Sequence, residues 1–251
     1  MEKEVALMFS GGLDTTVAAL VLKEHYERVH LVTVVQGFCL FTYRPGLVAK
    51  ELQRKFGRHR FPHRVLDGRE LFRLMRDDFD EQYRKYRSPL LVDLVCRLMM
   101  ETMTIIYCHQ RGISSSADGN SLAQDQIFIQ QGEYLEAVKE FFGRHGITHR
   151  NPVLAFETRE ERMAKLAEYG LDRGSDMLNS LGVSSHFFKQ CFCFGAIPSF
   201  CFTSGLRNMP ILKEFTRSHG LPLASALEFR RDRELISERY IQDHGDDVIE
   251  L

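Results

Sequence analysis

The sequence predicts an α/β protein with a doubly wound, mainly parallel sheet flanked by helices, followed by a small, mostly helical C-terminal region. Short β-branched and apolar runs alternate with amphipathic stretches, as in strands joined by crossover helices. The first strand runs into Ser-Gly-Gly directly before a helix. The 251 residues, 44% of them apolar, are enough to bury a core. We expect residues 1–155 to form the sheet domain and residues 156–251 the C-terminal region.

The chain is organised around its N-terminal stretch. Val5–Phe9 is predicted as a strand, Ser10–Thr16 as a tight loop and Val17–Lys23 as a helix. Two glycines let backbone N–H groups approach a ligand, and the helix directs free N–H groups and its positive dipole end at the same point. An ordinary strand-to-helix turn with a capping residue is the alternative. The loop residues expected at the ligand are Ser10, Gly11, Gly12, Asp14, Thr15 and Thr16.

This loop departs from the Walker and dinucleotide-binding patterns. It resembles the S-G-G-x-D-[ST] loop of the PP-loop, or N-type ATP pyrophosphatase, superfamily, which has the HUP (adenine nucleotide alpha-hydrolase-like) fold. The resemblance implies that the loop binds the β- and γ-phosphates of ATP, that AMP passes to a substrate and that pyrophosphate is released. The superfamily includes argininosuccinate, asparagine, GMP and NAD synthetases and enzymes that insert sulfur into tRNA or small cofactors.

The second predicted strand is Val29–Val35. In the resembled family, backbone groups at the end of this strand hold adenine and ribose, which here implies Val34–Gly37, with Val35 and Gly37 as the nucleotide-binding positions. The alternative is a buried parallel strand and its turn, and the two interpretations are compatible.

The next predicted elements lead to a fourth strand. They are a helix at Gly46–Phe56, a strand at Pro62–Leu66, a helix from Asp67 to about Tyr86, a helix at Leu90–Gln110 ended by Gly112, and a strand at Ile113–Ala117. The basic and aromatic stretch Arg54–Arg64 is either a contact for nucleic-acid or nucleotide phosphates or a solvated helix end with its loop.

Ligands of such sheets bind beyond the carboxyl ends of the strands, where Asp118-Gly119-Asn120 follows the fourth strand. This position resembles the second nucleotide motif of the superfamily, which implies that Gly119 and Asn120 bind nucleotide. Asp118 and Asp125 are both expected magnesium ligands, because Mg²⁺ prefers carboxylate and phosphate oxygens. The alternative is that Asp118 is a turn residue and that Asn120 or Ser121 is an N-cap.

The remaining elements begin with a helix at Glu133–Phe142 and a short strand at Gly146–Asn151. Thr158 and Glu161 then form a capping-box pattern at a helix start. The segment from Asn151-Pro152-Val153 to Leu171 is similar to the sulfur-transferring branch of the superfamily, which includes tRNA thiolation and LarE-like enzymes. A further charged helix is expected around Leu227–Tyr240.

Three cysteines lie within eleven residues late in the chain, at Cys191, Cys193 and Cys201. Three interpretations stay open: an iron–sulfur cluster, a catalytic cysteine pair and inert buried thiols. A nearby cation such as Lys189 would lower the pKa of a reactive thiol. The resemblance implies that Cys96 and Cys191 meet over the adenylated substrate, or that three cysteines hold a [4Fe-4S] cluster.

Charge is nearly balanced, with 33 basic and 34 acidic residues, so no global field favours nucleic acid. No run is long and apolar enough to span a membrane, and no signal-peptide pattern is present, so we expect a cytoplasmic protein that does not bind membranes.

We expect an ATP-dependent adenylating enzyme that uses ATP and Mg²⁺ to activate a substrate oxygen for sulfur insertion. The alternatives are an ammonia- or amine-using PP-loop ligase and a non-catalytic adenine-nucleotide-binding protein. The expected partners are a small-molecule or free-nucleotide substrate, a sulfur-donor protein and a second copy of the chain. RNA stays open as a substrate, although no dedicated RNA-binding module is visible in the sequence.

Overall fold

The computed structural model describes residues 2–37, 39–40, 43–120, 132–171, 192–193 and 220–245. The strands are β1 (Glu2–Met8), β2 (Tyr26–Val35), β3 (Cys39–Leu40), β4 (His63–Asp67), β5 (Ser115–Ala117), β6 (Thr148–Arg150) and β7 (Phe192–Cys193). The helices are α1 (Leu13–Leu22), α2 (Tyr43–Phe56), α3 (Arg69–Met75), α4 (Phe79–Tyr86), α5 (Leu91–Arg111), α6 (Gly132–Arg144), α7 (Arg159–Glu168) and α8 (Leu223–His244). A 3₁₀ turn covers Pro152–Ala155.

Five strands form one parallel sheet in the order β4-β2-β1-β5-β6. The chain builds this sheet outwards from β1 in one direction through β2 and β4, then returns to the other side of β1 for β5 and β6. The predicted doubly wound α/β fold is therefore confirmed. The reversal of strand order lies between β1 and β5, and in open α/β sheets this is the position at which ligands bind.

Alternate residues of the central strands supply two separate cores, because successive side chains point to opposite faces. Val5, Leu7 and Leu31 face α1, α2 and α7, whereas Ala6 and Val32 face α5, α6 and α8. Burial on both faces explains why β1 and β2 are continuous apolar runs rather than alternating ones. The sheet is therefore covered by helices on both sides.

The helix predicted from Asp67 to Tyr86 is wrong as a single element. The structure breaks it into α3 and α4, with Arg76 and Asp78 in non-helical backbone conformations. Aspartate competes for backbone hydrogen bonds and favours turns, and Asp77 and Asp78 are consecutive at the break. Asp78 is also held by Arg233 of α8, with an N–O distance of 2.7 Å, so the break is fixed by a contact that sequence periodicity does not contain.

Two local predictions about helix ends are confirmed. Gly112 ends α5 with a φ of 64°, and the N–H groups of Gly112 and Ile113 donate to the carbonyls of His109 and Cys108, as in a Schellman motif. At α7, the Thr158 side chain accepts from the Glu161 N–H (3.2 Å), and the Glu161 carboxylate accepts from the Thr158 N–H (3.2 Å).

A second, two-stranded sheet was not expected from the sequence. β3 and β7 pair antiparallel, with Cys39 opposite Cys193 and Leu40 opposite Phe192. Within the part of the chain that the structure describes, no helix combines the length and the apolar character needed to cross a bilayer.

Candidate functional site

The two loops that resemble nucleotide motifs meet at the reversal of strand order. Ser10–Gly12 follows β1 and Asp118–Asn120 follows β5, and these strands are neighbours in the sheet. A methyl group added to Gly119 would lie 2.8 Å from the backbone nitrogen of Thr15 and 3.0 Å from its Cα. Glycine is therefore needed there, because the second loop lies directly on the first turn of α1.

The first loop is a tight turn with few side-chain partners for its N–H groups. Gly11 has a φ of 73°, and a side chain on it would begin 2.9 Å from the Cα of Pro45 in α2. Gly12 is the N-cap residue of α1 and makes no side-chain cap hydrogen bond. The Gly12 N–H donates weakly to the Ser10 hydroxyl (3.4 Å). This geometry leaves the start of α1 suited to an anion.

The two threonines of this loop have different environments. Thr16 is fully buried, and its hydroxyl donates to the Gly12 carbonyl (2.7 Å), so it holds the turn together from inside. Thr15 is half-buried, and its hydroxyl lies 3.3 Å from the same carbonyl and 3.4 Å from the Ser10 hydroxyl. Of the loop hydroxyls, those of Ser10 and Thr15 are therefore the ones that a ligand can reach.

Asp14 of the same loop is paired with a residue that sequence analysis did not select. Its Oδ1 lies 2.9 Å from Nε of Arg162 on α7. Burial raises the pKa of Asp14 above its usual value, and the charges of Arg162 and Arg159 act in the opposite direction. The capping box at Thr158 predicted the start of α7, but only the packing of α7 against α1 brings Arg162 to the loop.

Asp118 is almost completely buried, with 1% of its surface exposed. Its Oδ1 accepts hydrogen bonds from the Asn120 N–H (3.0 Å) and from Asn151 Nδ2 (2.7 Å). Its Oδ2 accepts from Asn120 Nδ2 (2.9 Å) and pairs with Arg97, and His149 Nε2 lies 3.3 Å away. Both oxygens of the expected magnesium ligand therefore already have protein partners.

The ionisation of Asp118 follows from these partners. Burial by itself raises the pKa of this carboxyl. The positive charge of Arg97 and the hydrogen bonds from His149 and Asn120 outweigh the burial, so the pKa lies well below its usual range. Asp118 is therefore a carboxylate at neutral pH. It also holds the turn from Asp118 to Asn120, because it accepts hydrogen bonds from both nitrogens of Asn120.

The carboxyl end of β2 forms the next part of the rim. The Val35 carbonyl accepts from the Gly68 N–H (2.8 Å), so this predicted base-binding group is already hydrogen-bonded. Gly37 is exposed and has a φ of 89°, and a side chain on it would lie 3.5 Å from Arg69. Arg69 is held by Asp67 at the end of β4. The ion pair of Arg69 with Asp67 therefore lies beside the exposed backbone of Gly37.

Cys96 lies beside the carboxyl end of β2 and is buried, with 5% of its surface exposed. Gln36, directly after β2, places its Nε2 3.4 Å from the Cys96 sulfur. The next residue of α5 is Arg97, the partner of Asp118. Two consecutive residues of α5 thus contact the ends of β2 and β5.

The other expected sulfur and metal residues are placed only in part. Asp125, Lys189, Cys191 and Cys201 lie outside the described residues. The backbone of Cys193 lies opposite Cys39, three positions beyond Gln36. Among the described residues, no group of three or more His, Cys, Asp or Glu side chains is arranged to hold a metal ion.

Arg44 is a second basic residue that sequence analysis missed. It lies in the first turn of α2, beside the Pro45 that packs against Gly11. Its guanidinium lies 5.8 Å from the Tyr43 ring centroid, and its Nε is buried and makes no hydrogen bond in the structure. Arg44 is therefore a basic residue directly before Pro45, the residue that contacts the loop at Gly11.

Comparison with known proteins gives partial likenesses. No model of a known protein family matches the chain. Co-chaperone protein HscB homologs of Burkholderia mallei and Burkholderia pseudomallei are 36% identical over 99 residues, which is 39% of this chain and 50% of theirs. The chain therefore spans about half the length of the curated relatives it matches.

Among solved structures, a predicted subunit of tRNA methyltransferase from Methanocaldococcus jannaschii is similar to this chain. The sequence identity is 22% and the TM-score is 0.43, with 66% of this chain and 76% of that chain covered. Neither likeness assigns the chain to a family.

Proposed function

We propose that the chain is an ATP-binding enzyme of the PP-loop type, which transfers AMP to a substrate oxygen and releases pyrophosphate. The observation that carries the proposal is the contact of Gly119 with Thr15 at the reversal of strand order. That contact joins the two loops that resemble the phosphate and nucleotide motifs of the superfamily. In a doubly wound sheet, this is also the place where ligands bind.

The residues of the first loop would hold the phosphates. The first-turn amides of α1 and the positive end of its dipole favour an anion, and the Ser10 and Thr15 hydroxyls lie beside them. Arg162 lies beside the loop in an ion pair with Asp14, and Arg44 directly precedes the Pro45 that contacts Gly11. The exposed Gly37 backbone is our proposed contact for the nucleoside, as the sequence predicts.

The described carboxylates do not fit a magnesium site. Asp118 has protein donors on both oxygens, and Asp14 is paired with Arg162. Asp125, the other predicted ligand, lies outside the described residues. Mg²⁺ bound with ATP therefore remains a proposal.

The proposed reaction has two steps. A substrate oxygen attacks the α-phosphorus of ATP, a new P–O bond forms, and the bond to the β-phosphate oxygen breaks to release pyrophosphate. The loop amides stabilise the negative charge that builds on the leaving pyrophosphate. A nucleophile then attacks the activated carbon and displaces AMP. We propose a sulfur nucleophile, because Cys96 contacts Gln36 at the end of β2 and the backbone of Cys193 pairs with Cys39, three positions after Gln36.

The first experiment compares two glycines that share a left-handed backbone. Gly11 and Gly112 have φ values of 73° and 64°, and only Gly11 lies at the proposed site. We expect Gly11→Ala to abolish ATP binding measured by calorimetry, whereas Gly112→Ala keeps it. Equal ATP affinity in the two variants would contradict the proposal.

The second experiment measures pyrophosphate released from ATP with oxygen-containing acceptors, such as carboxylates and nucleosides. Release that depends on the acceptor supports the adenylating enzyme. If ATP binds and no acceptor yields pyrophosphate, the chain is instead a non-catalytic nucleotide-binding protein.

The third experiment separates sulfur from nitrogen chemistry. Cys96 and Cys108 are both buried on α5, but Cys108 lies at the opposite end of the helix and its pKa is raised by burial. We expect Cys96→Ala to lose sulfur transfer and Cys108→Ala to keep it. Full turnover of Cys96→Ala with ammonia as donor would indicate the ligase alternative.

A fourth experiment tests the iron–sulfur cluster hypothesis. Iron and acid-labile sulfide are measured in protein reconstituted without oxygen, for the wild type and for Cys191→Ala. A [4Fe-4S] cluster requires about four iron atoms per chain and their loss in the variant. Absence of iron in both proteins would discard the cluster, and a cysteine pair would then be the sulfur carrier to test.

The cytoplasmic location, the homo-oligomer, the sulfur-donor protein and RNA as substrate remain predictions.

A further inference from the structure

A chain of buried charges connects the Asp118 turn to the last helix. Arg97 pairs with Asp118 and places its Nε 2.9 Å from Glu101 Oε1. Glu101 Oε2 lies 2.7 Å from Nη2 of Arg230 on α8, and Arg230 Nε lies 2.8 Å from Glu234 Oε1. The signs alternate at every step. We call these five residues the buried relay.

The members of the relay are deeply buried for charged side chains. Glu101 is completely buried, and the side chains of Arg97 and Arg230 are exposed by 11% and 1%. Burial by itself lowers the pKa of both arginines, but their carboxylate neighbours outweigh it and raise the pKa of each above its usual value. Both arginines of the relay therefore keep their positive charge at neutral pH.

Stability alone gives no reason for such a relay. Apolar residues of similar volume often replace buried ion pairs without loss of stability, and this relay is surrounded by an apolar cluster that includes Leu98 and Phe229. What buried charges do provide is a fixed geometry, because each charge tolerates few alternative positions. The relay ends at the Asp118 carboxylate, which accepts hydrogen bonds from Asn120.

A series of direct contacts connects the buried relay to the candidate site. Arg97 holds Asp118, Asp118 holds both nitrogens of Asn120, and Gly119 between them lies on Thr15. A displacement of Arg97 would therefore move the turn that presses on the first turn of α1. The ring of His149 also depends on Asp118 and packs parallel to Phe142 at 4.4 Å.

We propose that Arg97 is a positioning residue for the nucleotide site, and that Glu101 together with Arg230 of α8 holds it in place. The last helix is thus part of the site, although it packs on the far side of α5. This inference rests on the proposed function for its ligand, ATP. The positioning of the Asp118 turn by Arg97 is also tested without ATP.

The test removes the middle of the relay without leaving a lone charge. The double variant Glu101→Gln, Arg230→Met roughly keeps side-chain volume and leaves each remaining relay charge an ion partner: Arg97 keeps Asp118, and Glu234 keeps Arg144, which Glu238 also contacts. The matched control is Thr102→Val, Ser237→Ala, which removes a fully buried 3.0 Å hydrogen bond between the same two helices.

Two readouts are measured on the full chain: the Kd for ATP, and the hydrogen exchange of the peptides that contain Thr15 and Gly119, without nucleotide. We expect the relay variant to weaken ATP binding by about two- to thirtyfold, the range for networks remote from a ligand, and to speed exchange in both peptides. The control is expected to change neither readout, although it lowers the melting temperature.

The remaining outcomes are decisive. Unchanged exchange and unchanged Kd in the relay variant would overturn the inference, and so would an equal effect of the control. If the wild type binds no ATP but the relay variant still speeds exchange in both peptides, the positioning role stands and the proposed function fails. Should the double variant not fold, Arg97→Lys takes its place, because one ammonium cannot reach both carboxylates as a guanidinium does.

Discussion

At the scale of single residues, the site depends on buried charges more than on exposed ones. Asp118 is expected from the sequence either as a magnesium ligand or as a turn residue. The structure places Arg97, Asn120 and Asn151 on its two oxygens. Asn120 belongs to the same short turn as Asp118, whereas Arg97 and Asn151 lie 21 and 33 residues away, so sequence alone gives no means of finding those two partners.

The pH dependence of stability provides a test of Asp118. Its pKa is lowered in the folded protein, so the stability that it contributes is complete above the unfolded value of about 3.9 and is lost as pH falls below it. We expect Asp118→Asn to cost about 3 kcal/mol at pH 7, as for a broken buried pair, to cost the same down to about pH 5, and to cost progressively less once the pH falls below the unfolded pKa of about 3.9. The free energy of unfolding in urea, measured from pH 7 to pH 3, checks this.

The matched control is Asp67→Asn, whose partner Arg69 is exposed at 62%. Such a surface pair contributes about 0–1 kcal/mol. A cost for Asp118→Asn that is as small as that of the control, or that does not change with pH, would contradict the assignment of a buried carboxylate.

The contact between the two loops gives a second prediction at the residue scale. Gly119→Ala would place a methyl group 2.8 Å from the Thr15 nitrogen, so backbone must move. We expect a loss of about 1–3 kcal/mol in stability and weaker ATP binding. Gly132→Ala is the control, because nothing lies within 4 Å of a Cβ there. Wild-type ATP affinity in Gly119→Ala would show that the loop contact is unimportant for binding.

At the scale of elements, local signals were sufficient for helix ends and insufficient for helix docking. The capping box of α7 and the Gly112 end of α5 follow from residues within one turn. The pairing of Arg162 with Asp14 depends instead on how α7 lies against α1. The break between α3 and α4 likewise involves Arg233, far away in sequence.

The capping box can be tested independently of any ligand. Thr158→Ala removes the acceptor for the Glu161 N–H and is expected to lower stability by about 1 kcal/mol. Thr158→Ser keeps a hydroxyl acceptor and is expected to stay within a few tenths of a kcal/mol of the wild type. Thermal and urea unfolding measure both variants, and equal stability of the two would mean that the cap adds nothing to the docked helix.

At the scale of the whole molecule, α8 shares a core with the sheet. Phe229 and Tyr240 of α8 belong to the same buried cluster as Ala6 and Met8 of β1. The division into residues 1–155 and 156–251 stays a prediction, and the cooperativity of unfolding tests it.

We expect Phe229→Ala to cost about 3–5 kcal/mol, because the side chain is 1% exposed and packs edge-on against Tyr86. One transition, coincident by far-UV and near-UV circular dichroism, is expected to shift as a whole. A separate early transition confined to part of the signal would instead support an independently folding C-terminal domain.

The sequence by itself determined the five strands of the parallel sheet in chain order, the Ser10–Thr16 loop at the first strand-to-helix turn, and the α/β class. These features depend on periodicity and on glycine, which act over a few residues. Only the tertiary structure decided that Gly119 lies on Thr15, that Arg97 fixes Asp118 and that α8 reaches the site through Arg230. Such contacts join segments that are distant in sequence, so they are set by strand order and helix packing, which no local pattern encodes.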